Sequence, residues 1–370
     1  MEKVVKRDEI LNLLRNVKYP GYSRDIVSFG MVKDIAVKDR DLTVVLSLST
    51  RDEDKRKKIV EDAKRVLSSL HGIKDVNVEV SRESDDQRLR EDPWALQSVI
   101  PGVKNTIAVA SGKGGVGKST VAVNIAGALA SKGYKVGVLD CDIYGPSLPT
   151  IMGLKKSPSM GPGNKILPLE RFNIKLMSLG FIIDEDQAVI WRGPLVMKMI
   201  QQFIDDIYWG ELDYLILDLP PGTGDVQLTL VQRLKLTGAV IVTTPQDLAL
   251  LDAKKGANMF RKVNTPVIGI VENMSYFVCP HCGRTTDIFS QGGGESESRN
   301  LNVPFLGKIP LDPLIRERSD TGTPLVIDKP DSESSLIFTK IADNIIESIK
   351  NLKAEESLKF TEKVDDYTGI

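Results

Sequence analysis

Cysteine is scarce in this chain, with three in 370 residues, and there are only two histidines. So few thiols exclude a disulfide-built scaffold and fit a reducing compartment, so a cytoplasmic protein is expected. Neither sign of charge is in excess: 49 Lys and Arg face 50 Asp and Glu, leaving a net charge of −1. That balance gives no case for nonspecific nucleic-acid binding. No apolar run approaches the ~20 residues of a membrane span, and the N-terminus lacks the apolar core of a signal peptide. The last twenty residues carry three lysines against Glu355, Glu356, Glu362, Asp365 and Asp366, without the basic amphipathic face of a membrane-targeting tail. Neither membrane nor nucleic acid is expected as a partner. Hydrophobic content of 41% and charged content of 27% are ordinary for a globular protein, and the length implies two or more domains.

What is present centres on Gly112-Lys113-Gly114-Gly115-Val116-Gly117-Lys118-Ser119-Thr120, which fits G-x-x-x-x-G-K-[ST], the P-loop. Its glycines let successive backbone N–H groups turn toward phosphate oxygens where side chains would clash. Lys118 is expected to reach the β- and γ-phosphates of ATP, and the Ser119 hydroxyl to sit on Mg²⁺. The apolar run 106–110 before the loop suits a buried parallel strand. The run 121–130 after it suits a helix whose N-terminus faces the phosphates. From residue 104 onward strands and helices alternate, which predicts an α/β fold with a mostly parallel sheet. Strand 135–139 ends at Asp140-Cys141-Asp142, strand 214–217 ends at Asp218, and strand 267–271 is followed by Asn273. Ligands of such sheets gather beyond the carboxyl ends of strands. Asp218 has the Walker B pattern of a Mg²⁺ ligand, direct or through water.

Lys113, a second lysine one residue into the loop, makes the sequence resemble the deviant-Walker ATPases, the group holding the Min and Par partitioning ATPases and nitrogenase iron protein. The block Asp218-Leu219-Pro220-Pro221-Gly222-Thr223-Gly224-Asp225, together with Asp142-Ile143-Tyr144-Gly145-Pro146-Ser147, narrows the resemblance to the Mrp/ApbC iron–sulfur cluster carrier proteins, over roughly residues 100–350. The resemblance implies that Lys113 crosses a homodimer interface to the partner's nucleotide. It implies that Asp142 orients the attacking water and helps hold Mg²⁺, and that Asn273 reads the adenine edge.

Residues 1–80 form a separate pattern: a helix around residues 10–17, strands at 31–37 and 42–48, a helix ending near Leu70, and a strand through Val76, Val78 and Val80. A small α+β domain is expected. It resembles the PaaD-like domain of iron–sulfur assembly factors, through Asp25-Ile26-Val27-Ser28-Phe29-Gly30 and Leu46-Ser47-Leu48-Ser49-Thr50. Where relatives often place a cysteine, this chain has Arg51-Asp52-Glu53-Asp54, which favours a docking or stabilising module. Residues 81–103 are expected as a linker, 104–352 as the P-loop NTPase domain and 353–370 as a polar tail.

Cys279-Pro280-His281-Cys282-Gly283 points two thiolates at one centre, and two ligands are too few for a stable Zn²⁺ or Fe–S site. A twofold dimer would supply four. Such a site suits a [4Fe–4S] cluster, as the resemblance implies, or a Cys₄ zinc site; a redox dithiol or inert cysteines are the remaining alternatives. His281 is expected to be exposed and not a ligand. The combined expectation is an ATP-hydrolysing homodimeric cluster carrier whose partners are apo iron–sulfur proteins and cluster-assembly factors. The rival readings are a partitioning-type ATPase on membrane or DNA, an ATP-gated electron-transfer protein, and a zinc-stapled ATPase scaffold.

Overall fold

Apolar runs of five or six residues without polar alternation belong in a sheet covered on both faces. In the computed structural model the runs Thr106–Ala110, Val136–Asp140, Tyr214–Asp218, Gly238–Thr243 and Val267–Glu272 are buried at every position. The structure describes residues 7–18, 25–27, 31–38, 41–46, 53–68, 70, 73–80, 97–182, 199 and 202–368. Outside them lie Tyr19–Tyr22, where Pro20 and Gly21 are expected to break the first helix, residues 28–30 and 47–50 of the 25–30 and 46–50 segments, Arg51 and Asp52, the charged linker stretch 81–91, and residues 188–194, where a strand and then Arg192-Gly193-Pro194 are expected to lead into a helix through Phe203. Two compact units divide the chain, Met1–Pro93 and Trp94–Ile370.

In the first unit, helix Arg7–Leu14 and helix Glu53–Leu67 cover a sheet of β1 (Val32–Lys38), β2 (Asp41–Leu46) and β3 (Asp75–Val80). β1 pairs antiparallel and β3 parallel with β2. Period-two alternation in β2 turns Leu42, Val44 and Leu46 inward, where they meet Ile59, Ala63 and Leu67 at helical spacing.

The second unit contains β4 (Thr106–Ala110), β5 (Val136–Asp140), β6 (Ser159–Met160), β7 (Ile166–Leu167), β8 (Leu169–Arg171), β9 (Ile174–Ser178), β10 (Tyr214–Asp218), β11 (Gly238–Thr243), β12 (Val267–Glu272), β13 (Phe277–Val278), β14 (Thr285–Thr286) and β15 (Phe305–Lys308). Eight of them form the main sheet in the order β15-β12-β11-β4-β10-β5-β9-β8, parallel except for β8 against β9. The carboxyl ends of β4, β10 and β5 therefore stand side by side, with Asp140 in register with Asp218. Residues 97–103, expected as the end of the linker, are bridged to this unit at Ser98–Leu234 and Val103–Leu212. Two prolines and two glycines within residues 157–163 predict an irregular loop, but the stretch contains β6, which pairs with β7 in a short antiparallel ribbon.

Helix Lys118–Ser131 and the C-terminal helix Glu333–Thr368 pack on one face, through Val121, Ile125, Leu129, Phe338, Ile341 and Ile345. Ile337, Ile341, Ile345 and Ile349 recur every four residues, which predicts a helix packed on the sheet; the last three are buried, while Ile337 sits at the margin. That helix continues through Thr368, so the polar residues after 352 extend a helix that the packed residues before them have already nucleated. On the other face Phe203, Trp209, Leu230, Ala253, Ala257 and Phe260 fill the core. Among the described residues no helix is long and apolar enough to cross a membrane. Phe338 is fully buried. Phe338→Ala should lower stability by about 3–5 kcal/mol, measured as a lower urea midpoint with an unchanged transition slope.

Candidate nucleotide site and cysteine turn

Each residue of the phosphate loop has a local reason for its type. Gly115 and Gly117 take φ of 81° and 79°, which side-chain-bearing residues rarely adopt. A Cβ at Gly112 would fall 2.3 Å from the backbone of Asp252, so this glycine lets helix Asp247–Lys262 close onto the loop. Cβ atoms at Gly114 and Gly115 would meet nothing within 4 Å. The loop is thus walled by a helix on one side and open at its centre, as a phosphate cradle requires.

Lys118 opens the following helix, and its Nζ donates to Asp218 Oδ1 at 2.5 Å in a pair only 6% and 4% exposed. The same ammonium lies 3.3 Å from Ser119 Oγ. Asp140 is just as deeply placed. It accepts from the Asp142 N–H at 3.0 Å, the Ser147 N–H at 3.0 Å, the Leu148 N–H at 3.1 Å and Ser178 Oγ at 3.0 Å. Burial and the neighbouring Asp218 carboxylate push Asp140 up to about 7, against those hydrogen bonds. Burial also raises Asp218, with Lys118 opposing. Two carboxylates therefore share one ammonium in a low-dielectric site, a donor set that suits a divalent cation beside phosphate. Asp142 Oδ1 accepts the Gly145 N–H at 3.2 Å, which shapes the loop beyond β5.

Lys113 Nζ donates to Gln246 Oε1 at 3.1 Å, so this lysine leans on the end of β11 and away from its own loop centre. The two residues stand at the start of helix Asp247–Lys262, where Leu248 and Leu251 are 70% and 57% exposed. Small residues of that helix, Ala249, Ala253 and Ala257, face the core, and Leu248 and Leu251 point out. Asn273 is buried, and its Nδ2 donates to the Val116 carbonyl at 2.8 Å. One N–H and the amide oxygen remain for a base edge. The structure thus brings the loop 112–120, Asp142, Asp218 and Asn273 to one end of the sheet. The side chain of Asp225 lies outside the described residues.

The cysteine turn is a separate element. β13 and β14 pair antiparallel, the Cys279 N–H donates to Arg284 O at 3.0 Å, and the Gly283 N–H returns to Cys279 O at 2.9 Å with φ of 67° at Gly283. Cys282 and His281 are exposed and Cys279 is half-buried. The backbone N–H groups of His281 and Cys282, then the Cys282 thiol, point at the Cys279 sulfur and lower its thiol from its usual range. N–H groups aimed at a sulfur are what a thiolate ligand needs. Among the described residues no group of three or more His, Cys, Asp or Glu could hold a metal ion, so one copy of the turn offers two ligands only. Cys141 is different: it is buried behind the loop, and desolvation, then Asp140 and Asp218, push its thiol well up.

Three residues carry weight that sequence reasoning missed. Gln246 holds Lys113, Asp252 explains Gly112, and Glu272 is buried with three hydrogen bonds. A carboxylate closing an all-apolar strand at Glu272 was the one signal on the page, parallel to Asp140 and Asp218.

Residues 102–346 match the family model described as the NUBPL iron-transfer P-loop NTPase, and residues 7–80 match that of an iron–sulfur cluster assembly protein. An iron–sulfur cluster carrier protein of Synechocystis sp. is 46% identical over 343 residues, covering 91% of this chain and 96% of that protein. The protein of the same name from Escherichia coli K12 is 42% identical, covering 92% and 91%. The iron–sulfur cluster transfer protein NUBPL of Dictyostelium discoideum is 47% identical, covering 72% and 83%. Among solved structures, a nucleotide-binding protein from Archaeoglobus fulgidus in complex with ADP is similar at 39% identity and a TM-score of 0.55, covering 68% of this chain and 94% of that one. The cell division ATPase MinD of Pyrococcus furiosus is similar at 26% identity and a TM-score of 0.51, covering 66% and 99%.

The three thiols should separate in chemical labelling. On reduced, metal-free protein, iodoacetamide should modify Cys279 at a pH below the ordinary thiol range, because its lowered pKa keeps thiolate present there. Cys141 should stay unmodified until denaturant is added. Peptide mass spectrometry against pH reads both; a Cys141 that labels first in native protein would contradict the burial just described.

Proposed function

This chain belongs to the NUBPL iron-transfer P-loop NTPase family and is a P-loop ATPase, and from that premise we propose that it is a homodimeric carrier of an iron–sulfur cluster. The cluster is cargo: a [4Fe–4S] centre held by Cys279 and Cys282 of two copies and passed to apo iron–sulfur proteins. The observation that carries this reading is the tight Cys279–Cys282 turn, closed by the Gly283 N–H on the Cys279 carbonyl at 2.9 Å, which sets an exposed cysteine three positions from a half-buried one. Two thiolates per copy and four per twofold pair match what such a cluster takes.

In the nucleotide half, the triphosphate gives Lys118 a second anion to bind, and its ammonium leaves Asp218 for the β- and γ-phosphates. Ser119, Asp218 and Asp142 would hold Mg²⁺, which would supply positive charge beside the phosphates. Asp142 accepts a hydrogen bond from the attacking water and fixes its direction. The remaining amide groups of Asn273 meet the adenine edge. Lys113 gives up Gln246 and reaches the nucleotide of the second copy, where it stabilises charge on the γ-phosphate. The exposed Leu248 and Leu251 beside it, with Tyr144 at 62% exposure in the loop after β5, supply apolar surface for the second copy to cover. The N-terminal unit serves as a docking or stabilising module, because Arg51-Asp52-Glu53-Asp54 stands where relatives often place a cysteine.

The two lysines should differ. Lys118→Ala removes the phosphate cation and leaves Asp218 unpaired, so ATP affinity should fall at least about a hundredfold. Lys113→Ala should bind ATP within about threefold of the native protein and hydrolyse it about 10²–10³ times more slowly. Equal loss of binding in both would end the role across the dimer.

The cluster itself is tested by anaerobic reconstitution with iron, sulfide and zinc analysis. Iron should load at about four atoms per dimer, and Cys279→Ala and Cys282→Ala should each abolish it as fully as the double change. Cys141→Ala should keep it. Zinc in place of iron, or iron that survives Cys282→Ala, would remove the carrier reading and leave the ATPase.

A further inference from the structure

The phosphate loop and the cysteine turn are separate elements, yet both are gripped by one short run of chain. At its centre, Asn273 donates to the Val116 carbonyl at 2.8 Å, and a Cβ on Gly117 would fall 2.4 Å from its Nδ2. One residue earlier, Glu272 is fully buried at the end of β12. Its Oε1 accepts from Ser275 Oγ at 2.5 Å and from the Gly292 N–H at 3.1 Å. Its Oε2 accepts from the Gly294 N–H at 2.5 Å. Residues 277–291, which hold the cysteine turn, run out after Tyr276, whose carbonyl still accepts the Leu311 N–H at 2.7 Å, and return at Gly292. The Glu272 carboxylate therefore closes the base of that excursion from both sides.

No Lys or Arg pairs with Glu272 among the described residues. Its charge is balanced by a hydroxyl and by the N-terminus of helix Gly293–Asn300. A buried carboxylate held by dipoles alone is costly to leave short of any donor. The packing has no slack either: a Cβ on Gly294 would lie 2.9 Å from the Glu272 Cβ. Backbone bonds pin the same run, from the Asn273 N–H to Thr243 O, the Ser275 N–H to Ile309 O and the Ile309 N–H to Glu272 O. Met274, between them, is held at φ of 56°, a conformation that persists only where the surroundings over-determine it. A continuous set of contacts therefore runs from Val116 and Gly117 through Asn273 and Glu272 to Gly292 and Gly294.

We infer that Glu272 is a positioning residue that makes the geometry of the Cys279–Cys282 turn depend on the state of the nucleotide loop. The inference rests on the nucleotide and cluster roles proposed above, and it assigns the mechanical link between them.

The test uses full-length, reduced, metal-free protein and the rate of N-ethylmaleimide labelling at Cys279 and Cys282, located by mass spectrometry. In the native chain, ATP with Mg²⁺ should change those rates by about fivefold or more relative to nucleotide-free protein. Glu272→Gln keeps the shape but turns an amide N–H against a donor, and the ratio should collapse toward one. Its ATP affinity should stay within about threefold of native. Ser275→Ala removes one donor only and should reduce the ratio partway. A merely structural role would scale the labelling rates with and without nucleotide alike and leave their ratio intact. If Glu272→Gln fails to melt cooperatively, Ser275→Ala decides. Labelling insensitive to nucleotide in the native chain, or a native ratio in the folded variants, overturns the link. Reconstitution on the same native protein keeps the two ideas apart. Nucleotide-sensitive thiols that load no iron remove the cluster reading alone, and loaded iron with insensitive thiols removes the link alone.

Discussion

One buried ion pair sets the terms for the rest of the larger unit. Lys118 begins a helix and Asp218 ends a strand, and their 2.5 Å contact holds the phosphate loop against the sheet in the interior. Taking both charges out of water is favourable only with close geometry and further hydrogen bonds. The order β4-β10-β5 then follows as a requirement, since it brings Asp140 into register beside Asp218. That second carboxylate leaves the charge balance unfinished, one ammonium against two acids, next to the open centre of a glycine loop. A protein built only to be stable would not keep such an arrangement; one that exchanges phosphate and a divalent cation depends on it.

The cysteine turn obeys opposite physics. Its thiols stand at the surface, and the lowered Cys279 is held by local N–H groups and needs no burial. Cys141 shows what burial does to the same side chain, since beside Asp140 and Asp218 its thiol stays protonated and inert. One chain thus contains three cysteines with two chemistries, separated by solvent access and nearby charge. Glu272 joins the two regimes, being as buried as Asp218 while its hydrogen bonds reach the roots of the exposed turn.

Much of this was legible beforehand because the signals are local. A strand, a glycine loop and a helix succeed one another within 106–131, and strands ending in Asp140 and Asp218 announce their carboxylates in adjacent residues. The α/β fold, the mostly parallel sheet and the family follow from those blocks. What escaped is non-local. Nothing near Gly112 shows that Asp252 will press on it, and nothing near Lys113 names Gln246. Leu248 and Leu251 look like core residues by composition, but Ala249, Ala253 and Ala257 take the inner face because a helix must come close to the loop. The β6–β7 ribbon was hidden by the prolines and glycines around it, and the helix beyond residue 352 by its lack of an apolar stripe.

The margins of the main sheet have a consequence for association. On one side it ends in β8, three residues long and antiparallel, and on the other in β15, four residues long. Edges this short offer too few free N–H and C=O groups to template a strand from another molecule. Association by edge-to-edge pairing, the route to runaway polymerisation, is closed on both flanks. Among the described residues, whatever meets the larger unit at its main sheet has to meet helices and loops, surfaces whose fit depends on side chains and can be released again.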